Sequence, residues 1–330
     1  MSLGSAQDSS VATETTERDQ LLRQPRPERD DPALSGTSPP LGFIGIGMMG
    51  LPMVQALVRA GHAVLACDSD AARLSMLVDA CGSGAVHTTP VAAEVGERCE
   101  VVLLMLPTSE HVAGVLLGEQ GLGKMRPGGL IVDMGSSIPA ETRRLAAALA
   151  ERGLRLMDAP VSGGVAKARA GTLAILAGGA DADLDKARPY LEALGETLIR
   201  TGAVGSAHAM KALNNFVYAA GLLAAVEALG MAEAAGLDTA VLADVLNASS
   251  GRNVATETKL KQFILTGLYA GGFRLGLMAK DLEIAAGLAE ETGVDAVALQ
   301  ACRAAWRRAL AMLGAEADNT EIHRSVTKAT

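Results

Sequence analysis

Three glycines, a carboxylate and a lysine are the residues whose types and spacing could do chemistry. Gly45, Gly47 and Gly50 stand in the order G-x-G-x-x-G within residues 41–68, LGFIGIGMMGLPMVQALVRAGHAVLACD. In that order the first glycine permits a sharp turn, the second lets a pyrophosphate approach the backbone, and the third lets a helix pack on a strand. The turn they share with Met48 and Met49 would present unpaired N–H groups at a helix N-terminus, where the dipole favours phosphate. Asp68 closes the stretch at the distance where a carboxylate can accept hydrogen bonds from an adenosine ribose. A glycine turn in an ordinary α/β domain explains each piece. It does not explain their succession as strand, turn, helix, strand and acid, and that succession predicts dinucleotide binding.

Lys211 is the second candidate. It is set among Ala209, Met210, Ala212 and Leu213, and Asn214 and Asn215 follow at three and four residues, where both can share its helical face. An exposed lysine on a helix is the plain alternative. Against it, two asparagines in mid-helix are costly by propensity, and Gly202-x-x-Gly205 just upstream would let backbone close over a ligand. A lysine in a cleft can shuttle a proton once desolvation lowers its pKa.

The elements that would position these groups fall into two patterns. Short apolar runs at 41–46, 63–67, 101–106, 130–134 and 154–157 read as strands, with 172–177 and 197–200 extending the sheet. Helices fit between them, among them 51–60 and 139–152, the latter with Thr142 and Arg143 on its outer face. The alternation predicts a parallel sheet covered by helices on both sides. Ligands of such sheets bind beyond the carboxyl ends of strands. Three strand ends, at 106–108 with Pro107, at 133–136 and at 158–164, should therefore converge beside Gly47. Beyond Gly202 strand signals vanish, and helices are expected at 206–236, 239–247, 256–265, 275–293 and 296–313. The fold class is α/β, with a Rossmann-type parallel-sheet domain at 41–202 followed by an all-α domain at 203–330 for substrate and dimerisation. Residues 1–40, polar and without apolar periodicity, read as a disordered arm.

Composition narrows the function. A chain of 330 residues has room for two domains, and 49% apolar residues with only 2% aromatics imply helices packed through small side chains. A net charge of −8 leaves no basic stripe for nucleic acid. Cys67, Cys81, Cys99 and Cys302 are scattered without metal-ligand spacing, so neither a metal site nor a disulfide framework is expected, and a reducing cytoplasm suits them. No secretory leader is expected. No window is expected to span a bilayer either, because the best one, 218–236, carries Glu227 and Glu233.

Four stretches together resemble the β-hydroxyacid dehydrogenase family, which includes 3-hydroxyisobutyrate dehydrogenases and tartronate semialdehyde reductases. They are GFIGIGMMGLPM at 42–53, DAPVSGG at 158–164, GAVGSAHAMKALNN at 202–215 and AKDL at 279–282. The resemblance extends from about residue 41 to the C-terminus and implies a role for each matched position. Lys211 falls on the catalytic lysine, and Asn215, with Asn214 beside it, on the asparagine that bonds the substrate. Ser162, Gly163 and Gly164 fall on the loop that holds the substrate carboxylate, for which a hydroxyl and two unhindered N–H groups are suited. Met105 and Leu106 fall on the strand end that touches the cofactor. Ser136 falls near the nicotinamide, and Lys280 on a lysine close to the cofactor, with a surface Lys280–Asp281 pair as its alternative. Relatives usually carry a hydroxyl residue where Gly135 stands, so Ser136 and Ser137 are not separated by sequence.

The activity implied is hydride transfer between a nicotinamide and the 3-hydroxyl, or the aldehyde, of a small 3-hydroxyacid such as 3-hydroxyisobutyrate or 2-hydroxy-3-oxopropionate. NAD is favoured over NADP, because Asp68 would repel a 2′-phosphate and Ser69-Asp70 brings no adjacent arginine, Arg73 being one turn on. The partners implied are a small hydroxyacid or semialdehyde and further copies of the chain, as a homodimer or homotetramer, and no membrane. Residues 249–253 and Lys259 are candidates for the far end of the substrate. An imine reductase is an alternative, although relatives of that kind commonly replace the lysine. So is an enzyme like 6-phosphogluconate dehydrogenase, which needs a cationic phosphate pocket. A catalytically inactive dinucleotide-binding module is the alternative of another class.

Overall fold

The structure, a computed structural model, describes residues 39–82 and 84–327, so the expected arm lies outside the described residues but for 39 and 40. Its strands are β1 (Leu41–Ile44), β2 (Val64–Cys67), β3 (His87–Thr89), β4 (Val101–Leu104), β5 (Leu130–Asp133), β6 (Arg155–Asp158), β7 (Val161–Ser162), β8 (Leu173–Gly178) and β9 (Gly195–Gly202). They form one sheet in the order β3-β2-β1-β4-β5-β6-β8-β7, with β9 paired to β8. From β3 to β6 every pairing is parallel, the strand order of a doubly wound nucleotide-binding sheet. The expectation of a wholly parallel sheet needs one correction. β8 runs antiparallel to β6 and β7, and only β9 is parallel to it. The β7–β8 connection is too short for a crossover, so the chain turns back instead.

Helices α1 (Gly50–Arg59), α2 (Ala71–Cys81), α3 (Ala92–Arg98), α4 (Ser109–Leu117), α5 (Pro139–Ala150), α6 (Gly164–Ala170) and α7 (Asp181–Leu194) complete this half. Successive strand residues bury on opposite sides. Phe43, Leu103 and Val132 meet Met53 and Leu57 of α1 and Leu191 of α7. Ile44, Val102, Leu104 and Ile131 meet Val95 of α3, Val112 of α4 and Leu145 of α5. Burial on both faces is why these strands read as unbroken apolar runs rather than alternating ones.

The rest is helical: α8 (Ser206–Ala234), α9 (Thr239–Ala248), a π-helical segment (Thr256–Ile264), α10 (Leu275–Thr292), α11 (Val297–Leu313) and α12 (Ile322–Thr327). Leu222, Val226 and Leu229 of α8 pack with Met278 and Leu282 of α10 around the fully buried Trp306 of α11. The Trp306 indole N–H donates to the Ala219 carbonyl at 3.4 Å. Two expectations fail here. Thr142 does not face outward from α5: it is buried, and its hydroxyl meets His208 Nδ1 of α8 at 2.8 Å. In addition, α8 is by length and composition long and apolar enough to cross a membrane. Its Ala, Leu and Gly content has that result because an apolar stretch tolerates a charge or two, and the same content suits burial against α10 and α11.

Candidate active site

The carboxyl ends of β1, β4, β5 and β6 lie at one level. Ile44 is opposite Leu104, Leu104 opposite Asp133, and Asp133 opposite Asp158. The next residue of each strand still donates to its neighbour: Met105 to Ile44, Met134 to Leu104, and Ala159 to Asp133. The glycine turn opens at the same edge. Gly45 has φ +101°, and a Cβ there would strike the Met105 carbonyl oxygen. A Cβ at Gly50 would run into the Gly45 carbonyl, so that glycine lets α1 approach β1. Gly47 differs from both. A Cβ there would meet nothing nearer than Arg73 Nη1 at 3.8 Å. The protein's own packing therefore leaves open the position where a phosphate has to approach. α1 starts above it with no side-chain cap, so its first N–H groups have no capping side chain. The turn thus fits a dinucleotide pyrophosphate.

Three aspartates end strands, and each holds backbone. Asp68, nearly buried, accepts from Ile46 N–H at 2.7 Å and Asp70 N–H at 2.9 Å, with Arg73 Nη1 at 3.5 Å. Arg73 is thus adjacent to Asp68 after all: the first turn of α2 folds the guanidinium back over the strand end. Asp133 accepts from Gly135 N–H at 3.0 Å and Ser137 Oγ at 2.6 Å. Those bonds separate two serines that the sequence could not. Ser137 is turned inward and engaged, whereas no hydrogen bond reaches the Ser136 hydroxyl among the described residues. Gly135 is required by packing, since a Cβ there would lie 2.7 Å from the Leu106 carbonyl oxygen. Asp158, wholly buried, accepts from Gly205 N–H at 2.7 Å and His208 N–H at 2.8 Å, capping the start of α8. Gly205 therefore anchors this helix, and Gly202 pairs with Gly178 in the sheet.

The capped helix carries Lys211 inward. His208, Lys211, Asn215, Ala219 and Leu222 are all buried on α8, at a helical spacing of three or four residues. Asn214 points outward, so only Asn215 shares the lysine's face; the Asn214 amide N–H₂ reaches Asn215 Oδ1 at 3.2 Å. No hydrogen bond or ion pair reaches Lys211 Nζ among the described residues. Burial lowers its pKa below the ordinary lysine value; the Asp281 charge opposes that shift and the Lys280 charge adds to it. Asn215 Nδ2 donates to Asp281 Oδ2 at 2.6 Å, and Asp281 is only 2% exposed. Its other oxygen has no hydrogen bond and lies 3.4 Å from Lys280 Nζ. Lys280 in turn donates to the Ser136 carbonyl at 2.6 Å, joining α10 to the end of β5. Lys280 and Asp281 are thus no surface pair.

A cleft of about 640 Å³ opens beside this chain of contacts, walled by Thr108, Ser109, Ser136, Ile138, Lys280 and Ile284. Lys211 is not on its wall. Ser162 sits opposite Ala174 where β7 meets β8, and β8 packs on α8. Gly163 and Gly164 follow with φ +135° and +71° as α6 begins, and no hydrogen bond ties the three to Lys211 among the described residues. Lys259 donates to the Gly271 carbonyl at 3.1 Å, and Asn253 Oδ1 accepts from Ala255 N–H at 2.8 Å, so both serve local structure. Asp281 was not singled out by sequence reasoning. The signal was present: it stands with Met278, Leu282 and Ala285 on the buried face of α10, where an acid is out of place.

A family model described as the NAD binding domain of 6-phosphogluconate dehydrogenase matches residues 40–204. A second, described as the NAD-binding of NADP-dependent 3-hydroxyisobutyrate dehydrogenase, matches residues 205–326. The chain is 38% identical over 258 residues to an NAD-dependent L-serine dehydrogenase of Pseudomonas aeruginosa, spanning 76% of this chain and 84% of that one. It is 36% identical over 256 residues to the 2-(hydroxymethyl)glutarate dehydrogenase of Eubacterium barkeri, spanning 77% and 82%. Among solved structures, a Mycobacterium tuberculosis 3-hydroxyisobutyrate dehydrogenase with L-serine has a TM-score of 0.79 and 32% identity, over 87% of this chain and 99% of that one. The chain belongs to the β-hydroxyacid dehydrogenases, NAD(P)-dependent oxidoreductases that act on CH–OH donors.

Proposed function

We propose that this enzyme oxidises the 3-hydroxyl of a small 3-hydroxyacid, or reduces the matching semialdehyde, with 3-hydroxyisobutyrate and 2-hydroxy-3-oxopropionate as the model pair. The observation that carries this reading is Lys211: a buried amine with a lowered pKa and no hydrogen bond among the described residues, one helical turn from Asn215. An amine whose charged form is disfavoured by burial can take a hydroxyl proton and return it in the reverse direction. The hydroxyl of Ser162 and the N–H groups of Gly163 and Gly164 hold the substrate carboxylate. Asn215, fixed by Asp281, orients the reacting oxygen toward Lys211 Nζ; Asn214 shapes the rim.

The cofactor, NAD in this reading, supplies the two-electron acceptor when bound. Gly45, Gly47, Met48, Met49 and Gly50 hold its phosphates through backbone, and Asp68 frames the adenosine end. Met105, Leu106 and Pro107 line its path, and Ser136 and Lys280 flank the nicotinamide. The division of labour follows the chain, with the nucleotide held by residues 41–202 and substrate and dimer contacts made by 203–330. A homodimer or homotetramer is favoured by exposed Met210, Leu213, Val217 and Met231, a stripe along α8. Four thiols without disulfide partners, Cys67, Cys81, Cys99 and Cys302, suit the cytoplasm.

The test is a panel of 3-hydroxyacids and semialdehydes assayed with NAD(H) and NADP(H), on the wild type and on Lys211→Ala. Turnover of at least one member by the wild type, lost in the variant, is expected. Equal turnover by both would refute the assignment of the lysine.

A further inference from the structure

Asp68 is the residue from which cofactor preference is read, yet both of its oxygens already accept backbone N–H groups and it is nearly buried. The group beside it that faces outward is Arg73. Its side chain is 50% exposed, and its guanidinium bridges Asp68 Oδ2 at 3.5 Å and Asp70 Oδ2 at 3.4 Å. Those are ion pairs longer than ordinary hydrogen bonds, so the planar fork keeps its donors for another anion. Its Nη1 lies 3.8 Å from the position of a Cβ on Gly47. The guanidinium therefore spans from the end of β2 to the phosphate turn, across the ground an adenosine ribose would cover. Asp70 is held in turn as the cap of α2, accepting from Ala72 N–H at 2.9 Å, so one carboxylate is tied down on either side of the arginine.

We infer that Arg73, and not Asp68, decides how this enzyme discriminates at the adenosine ribose, and that it pairs the 2′-phosphate of NADP so that both cofactors are accepted. The chemistry is that of a bidentate guanidinium on a phosphate monoester, with two carboxylates that must yield it. Because they must, the phosphate gains less than at an unopposed arginine, and NAD keeps a modest advantage. This inference rests on the dinucleotide reading of the glycine turn.

Titration calorimetry with two fragments, ADP and 2′,5′-ADP, separates the two ideas without any turnover. Wild type is expected to bind both. Arg73→Gln should weaken 2′,5′-ADP by about 10- to 100-fold, the loss of a charge-assisted hydrogen bond, while ADP stays within about fivefold. Asp70→Asn, which keeps a capping oxygen and drops the competing charge, should tighten 2′,5′-ADP and leave ADP in place. If ADP binds and Arg73→Gln leaves the ratio of the two affinities unchanged, the role of Arg73 is overturned and the dinucleotide site stands. If neither fragment binds the wild type, the dinucleotide reading itself falls, and this inference with it.

Discussion

Two sets of charged residues stand apart in this molecule, and they behave in opposite ways. At the carboxyl edge of the sheet Asp68, Asp133 and Asp158 each accept two hydrogen bonds from neighbouring groups, at least one of them a backbone N–H. These carboxylates are built into loops and a helix start, with each oxygen already accepting one hydrogen bond. Where α8 faces α10, Lys211 has no hydrogen bond among the described residues, and one oxygen of Asp281 has none. A buried polar group left unpaired is destabilising, and folds avoid it unless something is gained. The difference teaches which charges hold the architecture and which the fold leaves uncommitted.

Five variants break or sharpen that contrast. Lys211→Ala should cut turnover by about 10²- to 10⁴-fold, the usual loss for an acid–base group, with ADP affinity intact by calorimetry. Lys211→Met should also raise the midpoint of thermal unfolding, because it removes a desolvated amine. An unchanged or lower midpoint would mean that the amine is not strained.

At the opposite pole, Asp158→Ala strands the N–H groups of Gly205 and His208 in the interior. It should lower stability by about 1–3 kcal/mol for each in urea unfolding. A total loss below about 1 kcal/mol would show that another acceptor takes the carboxylate's place.

Asp281→Asn tests the junction of the two sets. The Asp281 charge raises the lysine pKa against desolvation, so removing it should move to lower pH the limb that Lys211 sets in the kcat/KM–pH profile, the acidic limb for oxidation and the basic limb for reduction. Movement to higher pH would contradict the coupling of Asp281 to Lys211. Lys280→Gln removes a positive charge that lowers the same pKa, so its profile should move the other way. Its effect should be the smallest of the series, since Lys280 is a quarter exposed and solvent screens it.

Much of the scaffold was legible in one dimension. Strands buried on both faces read as plain apolar runs, and the glycine turn declared itself through the order of its neighbours. β3 escaped because His87–Thr89 is short and polar, and β7 because Val161–Ser162 is two residues inside a loop. Lys211 and Asn215 could be picked out as polar residues on an apolar helical face. Asp281 lay on an equally apolar face and was passed over beside its more conspicuous neighbour. Thr142 was misassigned because periodicity says which residues share a face, not what packs against it.

The sequence by itself determined the strand order's raw material, the phosphate turn and the identity of the buried amine, because each depends on spacing along one element. Tertiary structure alone decided which carboxylates were consumed by backbone, which of Ser136 and Ser137 stayed available, and that Arg73 lies beside Asp68. Those outcomes depend on distances between elements far apart in the chain, and a hydrogen-bond acceptor cannot be known to be spent until its donors have been brought to it.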